Sequence, residues 1–242
     1  MSLFRNFINM ILPPRCLKCG QVLGAQNGLC ADCFKKISFI GEPLCYRCGR
    51  PFADEMHLKS GVRHLCGACV KEKRPLFAMR RSAFLYNDES KKLILDFKFK
   101  DKTFSAETLA NILYGAGRDI WPENPDVIIP VPIHWTRLLK RRYNQSALLV
   151  KYLSSRSAVS ADYSSLVRQK NTVPQVQLVG AARRRNLLQA FAVKYPQNIK
   201  GKKIVLVDDV ETTGSTLKEC AKVLKKAGAA KIYALTLART EN

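Results

Sequence analysis

Eight of the nine cysteines in this 242-residue chain fall into four C-x-x-C pairs: Cys16/Cys19, Cys30/Cys33, Cys45/Cys48 and Cys66/Cys69. Two thiolates three positions apart in a tight turn can point at one ion about 2.3 Å away, and two such pairs complete a tetrahedron. Cys19 and Cys48 are each followed by glycine, Gly20 and Gly49. Glycine tolerates positive φ and so lets backbone N–H groups turn toward the sulfurs. The pattern predicts two Zn2+ sites rather than disulfides or iron–sulfur clusters. They should be structural, because four cysteines leave no open coordination position. Sequential pairing, Cys16/Cys19/Cys30/Cys33 beside Cys45/Cys48/Cys66/Cys69, is favoured over interleaved pairing. His57 and His64 read as surplus surface residues of the second loop, and Cys220 as a small buried helix residue.

A second constellation runs Val205-Leu-Val-Asp208-Asp209-Val-Glu-Thr212-Thr213-Gly214-Ser215-Thr216-Leu. A buried strand ends in two carboxylates, then comes a short hydroxyl-rich turn with glycine, then a helix. Backbone N–H groups of such a turn, with a helix N-terminus behind them, form an anion site. The hydroxyls of Thr212, Thr213, Ser215 and Thr216 add donors, and Gly214 lets a phosphate approach the backbone. Asp208 and Asp209 at the strand end suit adjacent sugar hydroxyls and Mg2+. The turn is not a Walker A loop, which needs a different glycine–lysine spacing.

The elements that must position these groups follow an alternating pattern. The sequence predicts a strand at Met79–Tyr86 and helices at Glu89–Phe99 and Ser105–Trp121, then a strand at Asp126–Val131 and a helix at Asn144–Ser154. Short strands at Ser165–Arg168 and Phe191–Val193 lead to Lys203–Val207, an apolar run of the kind buried on both faces. A helix at Thr216–Ala227, ended by Gly228, and a strand at Lys231–Leu237 complete a parallel βαβ unit. The expected class is α/β: a parallel sheet flanked by helices behind an N-terminal zinc module. The expected division is 1–74 for the N-terminal helix and cysteine module and 75–242 for the rest, with 75–125 as a connecting or hood segment and 126–242 as the core.

Lysine and arginine number 41 against 19 acidic residues, a formal net charge of +22. Two zinc tetrathiolates would offset about four of those charges. The excess, spread over both parts, favours a polyanionic partner. In the Glu89–Phe99 helix, Leu93, Ile94 and Phe97 make an apolar face beside Lys91, Lys92, Lys98 and Lys100. Those lysines are either a solvated face or a basic rim beside a cleft. Lys98, Lys100, Arg137, Arg141, Arg142 and Tyr143 are the nucleic-acid candidates. No apolar run reaches the roughly 18 residues of a membrane span. The start reads as a short amphipathic helix rather than a signal peptide. With paired cysteines spaced for metal, that points to a reducing, cytoplasmic setting.

The Asp208–Thr216 stretch resembles the signature of type I phosphoribosyltransferases. That resemblance implies phosphoribosyl pyrophosphate with Mg2+ as ligand, the 2′ and 3′ hydroxyls on Asp208 and Asp209, and the 5′-phosphate on Thr212, Thr213, Gly214, Ser215 and Thr216. Several purine-using members carry an acid where this chain has Thr212, which speaks against purine base chemistry. Across nearly the whole chain, the four C-x-x-C pairs precede Pro130-Val-Pro132-Ile-His134, Arg141-Arg-Tyr-Asn144-Gln145, Arg168-x3-Thr172-x2-Gln175 and Arg183-x2-Asn186-x3-Ala190-Phe191. In this it resembles the ComF family of bacterial DNA-uptake (competence) proteins, including the ComFC and GntX type. Arg142 stands where the commoner pattern has glycine.

The resemblance implies a type I phosphoribosyltransferase-like domain behind a double zinc ribbon. It makes Val131, Pro132, Ile133 and His134 the pyrophosphate loop. Residues 169–185 become a closing loop, with Arg168, Lys170, Arg183 and Arg184 as anion contacts. It also implies handling of single-stranded transforming DNA, with a ComFA-type helicase-like ATPase as partner in some bacteria. The alternative is a metabolic phosphoribosyltransferase acting on a nucleobase or other small acceptor. A purely structural zinc adaptor would leave the phosphate loop unexplained.

Overall fold

In the computed structural model of the chain, residues 13–24, 28–52, 63–99, 105–134, 138, 143–169 and 190–241 are described. In chain order the elements are α1 (Ala31–Lys36), α2 (Gly67–Lys71), β1 (Met79–Leu85), α3 (Asp88–Phe99), α4 (Ser105–Ala116), β2 (Val127–Pro130), α5 (Gln145–Ser157), β3 (Ser160–Ala161), β4 (Leu166–Arg168), β5 (Phe191–Val193), β6 (Lys203–Glu211), α6 (Ser215–Lys226) and β7 (Lys231–Arg239). Five strands form one parallel sheet in the order β1-β7-β6-β2-β3, and β4 pairs antiparallel with β5. The expected N-terminal helix over residues 1–12 lies outside the described residues.

The continuous apolar run of β6 is explained by what covers it. Val205 and Val207 pack with Leu109 and Leu113 of α4 and Leu149, Val150 and Leu153 of α5. Ile204 and Leu206 face the other way, onto Leu217, Cys220 and Leu224 of α6. Each such fully buried aliphatic side chain contributes about 1.5–3 kcal/mol. Strand β6 runs past the expected end at Val207 and stays paired with β7 through Asp208↔Thr236 and Glu211↔Arg239. The sheet thereby carries the carboxylates to its C-terminal edge, where ligands meet open parallel sheets.

Two helix boundaries differ from expectation. Helix α4 stops at Ala116 rather than Trp121; the next residue, Gly117, packs so close to Leu235 that an added Cβ would lie 3.1 Å from Leu235 Cδ2. A short 3-10 turn with Pro122 follows. Helix α5 runs on to Ser157 and ends at Ala158, in the left-handed region.

The zinc module covers the β1 edge of the sheet. Ile40 N donates to Ala83 O and Leu85 N to Ser38 O, each at 2.9 Å, and Phe39 bridges Phe84 antiparallel. Lower on β1, Arg80 N donates to Arg47 O at 2.8 Å. Gly49, at φ +66°, lies so close that a Cβ would fall 2.4 Å from Arg80 O, so only glycine fits. An otherwise open row of strand donors and acceptors is thus satisfied. Residues 75–125 supply β1 itself, an integral edge strand beside β7.

Candidate functional site

The eight paired cysteines form two clusters, Cys16/Cys19/Cys30/Cys33 and Cys45/Cys48/Cys66/Cys69, with the sulfurs of each within 4.8 Å of one another. The pairing is sequential. A tetrahedron with bonds of about 2.3 Å has edges of about 3.8 Å. Cys19 and Cys30 sulfurs stand 3.8 Å apart and those of Cys48 and Cys66 3.6 Å apart. Backbone N–H groups aim at the sulfurs: Cys30 N at Cys16 Sγ and Cys66 N at Cys45 Sγ, both 3.3 Å. Such donors favour thiolate. The Cys48 thiol, with backbone N–H groups of Cys48, Cys66 and Arg47, holds Cys45 at about 4 against the cost of burial. The donor set and its spacing fit structural Zn2+, held entirely by sulfur. Gly20 and Gly49 both have positive φ, as the sequence requires.

At the C-terminal edge of the sheet, β6 turns into α6 through Thr212, Thr213 and Gly214. Gly214 is left-handed (φ 68°, ψ 7°) and occupies the helix N-cap. A Cβ there would lie 3.0 Å from Glu211 Oε1, so a side chain meets both strain and a carboxylate. The Thr213 and Ser215 hydroxyls are 2.7 Å apart, and Thr240 Oγ1 donates to Thr212 O at 3.0 Å. Asp208, Glu211, Thr212, Gly214, Ser215 and Thr216 line a small polar pocket of about 20 Å3, room for one compact group.

Four consecutive residues entering α5 organise the rim of that pocket. Tyr143 Oη donates to Phe97 O at 2.7 Å, Asn144 Nδ2 to Val131 O at 3.1 Å, Gln145 Nε2 to Lys98 O at 3.1 Å, and Ser146 Oγ to Asp208 Oδ1 at 3.2 Å. Asn144 also caps α5, its side chain accepting from Ser146 N. The Lys98 ammonium sits 2.9 Å from Asp209 Oδ2, both side chains largely buried. Burial and the neighbouring Asp209 charge push Asp208 up to about 7, against its bonds from Asp209 N and Ser146 and the positive Lys98.

A second ion pair supports the loop from beneath. Arg80 meets Glu211, whose side chain is 5% exposed, in a close charge-assisted bond. Arg80 is also the residue whose backbone the second zinc knuckle grips. Arg239, register partner of Glu211, donates to Cys48 O at 2.5 Å. The second cysteine cluster and the hydroxyl-rich turn therefore share one chain of contacts.

Val131 and His134 are buried, Pro132 and Ile133 half-buried, and Val131 N still donates to Val207 O at 2.8 Å, so this turn leaves directly from the sheet beside β6. Arg168 lies in β4 with its guanidinium over the Phe191 ring at 5.4 Å. Tyr143 and Lys98 belong to the rim just described. Lys100, Arg137, Arg141, Arg142, Lys170, Arg183 and Arg184, with His57, lie outside the described residues, and nothing is described of the Phe99 side chain. Sequence reasoning missed Ser146, Arg80 and Glu211. A buried-strand glutamate so near the glycine turn was the available signal for Glu211. The other two come from distant segments.

Comparison with known proteins gives two family matches: residues 7–70 match the double zinc ribbon domain and residues 136–241 the phosphoribosyl transferase domain. Competence protein F of Haemophilus influenzae is 36% identical over 240 residues, covering 97% of this chain and 99% of that one. DNA utilization protein YhgH of Escherichia coli (strain K12) is 32% identical over 236 residues, covering 96% and 99%. Competence protein ComFC of Bacillus subtilis is 26% identical over 226 residues, covering 90% and 87%. Among solved structures, a purine phosphoribosyltransferase from Pyrococcus horikoshii matches at 20% identity and a TM-score of 0.35, over 56% of this chain and 73% of that one.

Proposed function

The chain belongs to the ComF family of competence proteins, and on that premise we propose that it binds phosphoribosyl pyrophosphate with Mg2+ and acts in the uptake of single-stranded transforming DNA. The observation that carries the ligand is the β6–α6 turn, where a left-handed glycine, three hydroxyl residues (Thr212, Ser215 and Thr216) and the carboxylates of Asp208 and Glu211 surround one small polar pocket. Thr212–Thr216 take the 5′-phosphate, Asp208 and Asp209 the ribose hydroxyls, and the Val131–His134 turn the pyrophosphate. Bound Mg2+ would offset pyrophosphate charge. The protein's own groups orient the sugar through carboxylates that the α5 entry holds in place.

The DNA role is supported by the names of the full-length relatives and by the formal charge of +22. The setting is cytoplasmic, with a ComFA-type helicase-like ATPase as partner. Among the described residues no helix is long and apolar enough to cross a membrane. Phosphate contacts by lysine and arginine release counterions, so affinity for single-stranded DNA should fall steeply with salt. Fluorescence anisotropy over a salt series tests this. Binding that is absent at low salt, or flat with salt, speaks against a nucleic-acid role.

Calorimetric titration of phosphoribosyl pyrophosphate with Mg2+ tests the ligand. Gly214→Val should abolish binding and leave both zinc sites loaded. Asp208→Asn with Asp209→Asn should weaken it by about tenfold or more per residue, since each loses a charged acceptor. Unchanged affinity in both variants would remove the turn as the site. A carboxylate pair is more than a DNA clamp needs, which favours a second reading in which ribose 5-phosphate is transferred to an acceptor. Incubating labelled phosphoribosyl pyrophosphate, Mg2+ and single-stranded DNA, then measuring pyrophosphate release and labelled DNA, separates the two.

A further inference from the structure

We propose that Lys98 is a ligand-recognition residue of the sugar-phosphate site, the counter-ion that holds Asp209 before ligand arrives and serves the anionic pyrophosphate end of the ligand afterwards. This rests on the reading of the β6–α6 turn as a phosphoribosyl pyrophosphate site. Lys98 lies in the last turn of α3, remote in sequence from the β6–α6 turn, yet its ammonium is 2.9 Å from Asp209 Oδ2. A surface lysine would be solvated. This side chain is 19% exposed and its partner 14%, so the pair is fixed in a setting where charge counts for more than in water.

The geometry is held from the backbone. Gln145 fastens the Lys98 carbonyl and Tyr143 fastens that of Phe97. Asn144, between them in sequence, fastens Val131 at the start of the turn assigned to pyrophosphate, and Ser146 fastens Asp208. One short segment thus sets the positions of the lysine, the carboxylate pair and the pyrophosphate turn together. Arg80, another cation beside the loop, is committed to the buried Glu211. Lys98 faces a carboxylate whose natural ligand partners are hydroxyl donors. When those hydroxyls bind Asp209, the adjacent ammonium is left beside a ligand carrying several negative charges, which it can meet without moving its backbone.

The test uses the full chain and two probes, ribose 5-phosphate and phosphoribosyl pyrophosphate, titrated calorimetrically with Mg2+. Variants are Lys98→Met, Lys98→Arg and, as a charge control on the far end of α6, Lys226→Met. Thermal unfolding checks that each is folded. Lys98→Met should lose tenfold or more in affinity for phosphoribosyl pyrophosphate while ribose 5-phosphate changes by less than threefold. Lys98→Arg should recover most of the loss, and Lys226→Met should match the parent for both. Equal losses for both probes would reduce Lys98 to a prop for Asp209 and overturn the proposal. Parent-like affinity of Lys98→Met for both would overturn it too, and leave the site standing. A parent chain that binds neither probe would instead remove the site itself, and the role of Lys98 with it.

Discussion

Two regions of the molecule, the cysteine ribbon and the β6–α6 turn, solve the same problem, holding polar groups in a fixed arrangement, by opposite means. In the ribbon, ligands four at a time come from within one short stretch, and a metal supplies the cohesion that so small an apolar cluster lacks. At the β6–α6 turn the groups come from β1, α3, α5 and β6, and a sheet buried on both faces supplies the rigidity. A locally encoded site can be removed by removing its ion. A site assembled from distant segments can be loosened only by breaking individual contacts, and each break should be felt in part.

The largest effect should follow metal removal. Two Zn2+ per chain are expected by metal analysis. Stripping them should unfold the ribbon, since structural zinc is worth about 10–16 kcal/mol in small modules. Because Arg47, Cys48 and Gly49 contact β1 and β7, Cys45→Ser should also lower the melting temperature of the sheet. If that temperature stays put, the two regions are thermodynamically separate.

Next in size is Arg80→Met. It leaves Glu211, nearly buried, without its cation, at a cost of about 3–5 kcal/mol. Urea unfolding measures it, and a loss below about 1 kcal/mol would mean that Glu211 finds relief elsewhere.

Smaller again, taken per pH unit, is a pH effect. Asp208 rises from an ordinary 3.8 to about 7 on folding, chiefly through burial and then through the charge of Asp209. Between those values the folded chain keeps a proton that the unfolded chain releases. Stability from this group is therefore present at low pH and lost as pH rises toward 7, at no more than about 1.4 kcal/mol per pH unit. Urea midpoints from pH 4 to 8 should show that slope in the parent and not in Asp208→Asn. The smallest effect should be Ser146→Ala, about 1 kcal/mol or less for a neutral donor lost from Asp208. It should raise the Asp208 pKa slightly further, a shift that carbon-13 NMR of the carboxyl can read.

The same contrast decides what could be read from sequence. The cysteine clusters were legible because ligand spacing is local, and Gly20 and Gly49 marked the knuckles. The hydroxyl-rich turn between β6 and α6 was legible as a turn because strand, carboxylates, hydroxyls and glycine are contiguous. Strand β6 was read too short, since Asp208, Asp209 and Glu211 look like loop residues until Thr236 and Arg239 of β7 stand opposite them. Lys98 on Asp209, Ser146 on Asp208 and Arg80 on Glu211 depend on the strand order β1-β7-β6-β2 and on how α3 meets α5, which no spacing along the chain encodes.

The lid that residues 38–40 lay along β1 also bears on how the protein behaves when zinc is scarce. A fragment beginning near residue 75 would carry β1 with its backbone groups from Arg80 to Leu85 facing water, a template on which a second copy can add its own strand. Zinc-starved or truncated chains should thus fail by joining edge to edge into assemblies rather than by remaining soluble and half-folded. The ribbon would then act as a guard on solubility, whatever else it touches.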